Sequence, residues 1–96
     1  MTIDEFKASL ASDTPPSLPA PLVGLWYDAR GNWEKAHQTV QDDPSAASAW
    51  VHAYLHRKEG DISNAHYWYR LAGKTPYSGS LESEWEQIAQ ALLGDT

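Results

Sequence analysis

The sequence has no cysteine. That excludes disulfides, iron–sulfur clusters, thiolate zinc sites and cysteine nucleophiles. No apolar run approaches the ~20 residues needed to span a bilayer, so no membrane partner is expected. No glycine-rich run is present to cradle a phosphate, because the six glycines are isolated. There is no GxSxG elbow and no recognisable order of triad residues. No segment alternates apolar and polar residues, so no strand is predicted. No base follows Lys74, and residues 76–96 carry four acids, a balance of −4. The opening MTIDEFKASL holds two acids before its only lysine. It does not read as a secretory signal, and the expected location is cytoplasmic.

What remains is a chain of 96 residues with 42% apolar composition and a net charge of −6. There is room for one core and one domain, 1–96. The acidic balance argues against a nucleic-acid partner, since such binders are normally basic. The charge is unevenly placed. Residues 1–50 hold three bases and seven acids, whereas residues 51–75 hold four bases and two acids. Three of the four histidines, His52, His56 and His66, lie in that basic middle.

Apolar residues at i, i+3, i+4 and i+7 mark one face of a helix, and six such stripes follow one another. Ile3, Phe6 and Leu10 predict a short N-terminal helix within 1–11. Thr2 and Glu5 stand before it at the spacing of a capping box. Residues 12–20 form a proline-rich linker, because proline fixes φ and removes an amide donor. Leu22, Leu25, Trp26 and Ala29 predict the second helix, closed by Gly31. Asn32 is a good cap for the third, whose stripe is Trp33, Ala36, His37 and Val40. Asp43 is expected to cap the fourth, with Pro44 opening it. Its stripe is Ala46, Ala49, Trp50, Ala53, Tyr54 and Arg57. Gly60 stops that helix and Asp61 caps the fifth, which carries Ile62, Ala65, His66, Tyr69 and Ala72. Ser80 is the expected cap of the last, 80–94, with Leu81, Trp85, Ile88 and Leu92. The predicted fold class is all-α.

A repeat is visible at an offset of 29 residues: Gly31-Asn32-Trp33 matches Gly60-Asp61-Ile62, and Ala36-His37 matches Ala65-His66. Each unit reads as helix, stop, cap, then a small residue where two helices cross. This resembles the tetratricopeptide repeat and its Sel1-like relative, most closely over Trp50 to Pro76 with Gly60, Asp61, Ala65, Tyr69, Ala72 and Pro76. In the first unit Pro44 arrives about four residues early for that pattern. The run Trp50-Val-His-Ala-Tyr-Leu-His-Arg-Lys-Glu-Gly-Asp61 is also similar to small bacterial proteins of unknown function. The resemblance implies antiparallel helix-turn-helix pairs stacked as two repeats, 21–43 and 44–76. The last helix would cap the final pair, and the N-terminal helix would cover the other end.

The resemblance also implies a groove lined by the first helix of each pair, over 21–30 and 45–59. Tyr27, Arg30, Tyr54, Arg57 and Lys58 would line it. Tyr54 and Arg57 are three apart and therefore neighbours on a helix. Arg57 is able to grip a carboxylate through two parallel hydrogen bonds, as basic residues do in carboxylate-clamping members of the family. The plainer reading of Arg57 and Lys58 is that cations favour the last turn of a helix.

His52 and His56 are four apart and so share a helix face, a spacing that suits two metal ligands. Ala53 stands where an HExxH site has its glutamate, and a third ligand would have to come from His66, His37, Asp61 or Glu59. The favoured reading keeps them structural, with no metal and no cofactor. His37 and His66 occupy equivalent repeat positions and read as packing residues. Glu82, Glu84 and Glu86 spread around their helix, so no paired-carboxylate site and no enzyme are expected. Trp26, Trp33, Trp50 and Trp85 lie on apolar stripes, whereas Tyr27, Tyr67 and Trp68 do not. The expected function is a non-catalytic module that binds an extended or acidic peptide from an unidentified protein. The alternatives are a homo-oligomer joined through Tyr67 and Trp68, and a metal or small-ligand site at His52 and His56.

Overall fold

Side-chain caps start five of the six described helices, and the second opens instead behind Pro19 with Pro21 in its first turn. A computed structural model describes residues 1–94, and within them six helices and no strand occur: α1 (Ile3–Ser9), α2 (Ala20–Ala29), α3 (Trp33–Gln41), α4 (Ala46–Lys58), α5 (Ile62–Ala72) and α6 (Leu81–Gly94). The capping box at α1 is complete, with Thr2 and Glu5 each accepting from the other's backbone amide. Asn32, Asp61 and Ser80 accept from the amides of Lys35, Asn64 and Ser83. The cap of α4 differs from expectation. Ser45 accepts from the Ser48 amide, and Asp43 instead accepts from the hydroxyls of Ser45 at 2.6 Å and Ser48 at 2.5 Å. A hydroxyl at the cap position frees the carboxylate to brace the turn from outside.

The repeat extends to backbone detail. Gly31 and Gly60 have φ of 81° and 90°, a region that costs other residues a clash at Cβ. At each turn the glycine amide donates three residues back and the following amide donates five back, to Asp28 and Tyr27 in one case and to Arg57 and His56 in the other. Three-residue connections of this kind bring α2 against α3 and α4 against α5, and a four-residue connection brings α3 against α4.

Gly24 permits the closest of these approaches. A Cβ there would lie 2.6 Å from Val40 Cγ1. The core runs along α4, where Ala49 through Leu55 are all buried and Val51, Ala53 and Leu55 are fully enclosed.

The terminal helices sit elsewhere than the repeat pattern predicts. α6 lies across α2 and α4 and makes no backbone approach to α5, and α1 packs on α6. Phe6 is fully buried and stacks on Trp85 at 5.7 Å between centroids. The Trp85 indole donates to the Leu25 carbonyl at 3.0 Å, and that of Trp26 to the Ser9 carbonyl at 3.3 Å. Both terminal helices therefore cover one face of the α2–α4 pair. Ile62, on the predicted apolar stripe of α5, is 49% exposed because no helix follows α5 on that side.

Candidate functional site

α4 carries Tyr54, Arg57 and Lys58 on adjacent turns, and the fold spends all three on its own carboxylates. Asp28 is buried at the end of α2. It accepts from the Tyr54 hydroxyl at 2.9 Å and from the Lys58 ammonium at 2.9 Å. Glu84 of α6 is 1% exposed and accepts from Arg57 Nη1 at 2.9 Å and from the Tyr69 hydroxyl. Arg57 Nη2 also donates to the Gly79 carbonyl in the turn before α6. The carboxylate that Arg57 grips is thus internal.

Burial pushes both tyrosine hydroxyls up, reinforced by the adjacent carboxylates, so both stay protonated donors. Burial also raises the Glu84 carboxyl, while Tyr69 and Arg57 pull it back.

Tyr27 and Arg30 do not join this group. Arg30 donates to the Leu10 carbonyl at 2.7 Å and lies over the Trp26 ring. Tyr27 is half-buried, edge-on to Trp26 and beneath the Lys35 ammonium. Both residues pin α1 and α3 against α2. The five residues expected to share a groove therefore fall into separate places, because α6 occupies the face on which that groove would open.

An opening does remain beside α6. A cleft of about 610 Å³ lies between α1, α2, α4 and α6. Leu10, Ala29, Leu81 and Trp85 supply apolar lining, and Tyr54 and Asp28 contribute polar groups. Lys7 and Lys58 stand on the rim with Glu82 and Glu86. Lys7 pairs with Glu86 at 2.7 Å, both side chains 45% exposed. Lys58 is 39% exposed. Each ammonium has three donors, and each uses one on the carboxylate named here.

A second polar cluster lies between α3 and α4. His37 and His52 face each other with Nε2 atoms 2.9 Å apart. His56 completes the group, and one ring nitrogen from each of the three lies within 4.8 Å of the others. Trp33 stacks on His37 at 5.0 Å and Trp68 on His52 at 3.8 Å. The off-stripe position of Trp68 therefore serves packing against α4. His66 is exposed and takes no part, so the repeat equivalence of His37 and His66 does not extend to their surroundings.

Asp28, Glu84 and Gly24 had no signal as a group. Glu84 read as one of three acids spread around its helix and Asp28 carried no reading; the approach of α4, and of Tyr69 on α5, gives them partners. Among the described residues no helix is long and apolar enough to cross a membrane. No family model, no curated protein and no solved structure matches this chain, so its own geometry carries the functional argument.

Proposed function

We propose that the protein is a non-catalytic binding module that takes an extended, acidic peptide segment in the cleft between α1, α2, α4 and α6. Its two hairpins are of the tetratricopeptide-like kind, a reading supported by the turn repeated at Gly31 and Gly60. The observation that carries the function is the pairing of an apolar floor with two accessible ammonium groups. Trp85, Leu10, Leu81 and Ala29 offer surface to an apolar side chain. Lys7 and Lys58 keep donors free for a carboxylate. The exposed Lys7–Glu86 pair is worth at most about 1 kcal/mol and yields readily to a ligand. The volume falls within the roughly 300–1,000 Å³ range of ligand clefts.

The test is a random-peptide display selection on the intact chain. Peptides that combine an acidic with an apolar residue are the expected enrichment. Ala29→Trp fills the cleft from an exposed position, and Lys7→Glu reverses one charge of the rim. Both variants should lose those peptides while keeping the wild-type helical spectrum. No enrichment, or enrichment indifferent to Ala29→Trp, overturns the reading.

A second reading rests on the outer face of α5. Tyr67 and Leu71 are four apart and 49% and 53% exposed. Trp68, half-buried on His52, is not available there. A homodimer through Tyr67 and Leu71 would show as a concentration-dependent mass in sedimentation. A monomer at millimolar concentration eliminates it.

A further inference from the structure

We propose that His37, His52 and His56 form a binding site for one divalent transition-metal ion of the zinc and copper class. Three imidazoles converge from two helices. His52 and His56 are one turn apart on α4, and His37 reaches them from α3. A ligand nitrogen sits ~2.0–2.1 Å from such an ion. Two ligands at right angles are then ~2.9 Å apart, and at the tetrahedral angle ~3.3 Å. The His37 and His52 Nε2 atoms are already 2.9 Å apart. Their rings meet almost perpendicularly, at 87°, with centroids 4.6 Å apart. His56 lies within 4.8 Å of both, and to ligate through Nε2 it must take that nitrogen from Asn64 Nδ2, 3.4 Å away.

The surroundings are those of a built site. Glu59 Oε1 lies 2.6 Å from His56 Nδ1. A carboxylate that accepts from Nδ1–H leaves Nε2 with its lone pair, the arrangement that orients metal-binding histidines. His52 and His56 are 4% and 7% exposed, and Trp33 and Trp68 flank His37 and His52. Trp33 is held in place by its own donation to the Leu55 carbonyl at 2.9 Å. His37 is half-buried and gives access from solvent. Imidazole ligands suit zinc, copper and nickel, whereas calcium and magnesium prefer oxygen.

The experiment uses the tag-free full chain, stripped with chelator and titrated by calorimetry with zinc and with copper(II). One ion per chain is expected at submicromolar affinity. Copper(II) should quench tryptophan fluorescence, because Trp33 and Trp68 stack on two of the ligands. His37→Gln is a half-buried change that the fold should tolerate, and it should weaken binding at least about tenfold. His66→Gln, an exposed histidine outside the cluster, should bind like wild type. If His37→Gln loses its helical spectrum, nitrogen-15 shifts of the imidazoles in the wild type decide instead. Zinc must move the ring nitrogens of His37, His52 and His56 and leave those of His66. Absence of binding at 100 µM zinc or copper overturns the proposal. So does equal binding by the His37→Gln and His66→Gln variants.

Discussion

Replacing Glu84 by alanine should destabilise the protein more than any surface change. Its carboxylate is 1% exposed and joins α6 to α4 through Arg57 and to α5 through Tyr69. Alanine leaves the Arg57 guanidinium, 17% exposed, without its counter-charge. It also leaves the Tyr69 hydroxyl without an acceptor. Removing one member of a buried pair costs about 3–5 kcal/mol. In a domain of this size each kcal/mol moves Tm by about 4–8 °C. The expected fall in Tm is therefore at least about 12 °C. The pair is less valuable than this loss implies, because burying the carboxylate is itself unfavourable, as its raised pKa records. A triple replacement by apolar residues, Arg57→Met, Tyr69→Phe and Glu84→Met, should hence stay within about 2 kcal/mol of wild type. Urea unfolding followed by far-ultraviolet circular dichroism measures all of these variants. A loss below about 1 kcal/mol for Glu84→Ala would refute the argument. So would a coupling below about 0.5 kcal/mol in the Arg57/Glu84 double-mutant cycle.

Gly24→Ala tests the helix crossing. Alanine gains about 1 kcal/mol of helix propensity, but its methyl meets Val40 Cγ1 at 2.6 Å, and overpacking costs about 1–3 kcal/mol. A lower urea midpoint is expected, with Gly24→Ala/Val40→Ala more stable than the sum of its singles; additive behaviour contradicts the close approach. Asp43 gives a pH dependence. The Ser45 and Ser48 hydroxyls hold its carboxyl below the ordinary aspartate value of 3.8. A depressed folded-state pKa means that the unfolded chain binds the proton more readily, so the stabilisation is present above about pH 4 and disappears as pH falls through the folded value. Asp43→Asn should lower Tm at pH 6 and match wild type near pH 2; a difference that grows in acid contradicts the sign.

The helices were legible because their signals are local. Gly31 with Asn32 and Gly60 with Asp61 each specify a stop and a start within two residues, and both turns adopt the same hydrogen bonds. The place of α6 was not legible. Leu81, Trp85 and Ile88 require a partner surface but do not name one, and the choice of α2 and α4 over α5 depends on pairs such as Arg57–Glu84, 27 residues apart. That choice also separates His37 from His66. α3 is covered by α4, whereas α6 follows α5 without packing its backbone on it, so sequence symmetry ends in different surroundings. The i,i+4 spacing marked His52 and His56 as a pair. Only the crossing of α3 and α4 selects His37 as the third member.

The docking of α1 on α6 imposes an order on synthesis. α1 leaves the ribosome before the other five helices, yet the ring on which Phe6 packs belongs to Trp85 and the acid that Lys7 meets is Glu86, 79 residues later. At translation rates of about 5–20 residues per second, α1 waits roughly 4–16 s for that surface to be made. α2 through α5 contact mainly their immediate neighbours in the chain and can assemble as they emerge. During that interval Phe6 and the α2–α4 face remain open to other proteins. Of the six helices the earliest made is the last to find its place, and its arrival coincides with closure of the face that α6 covers.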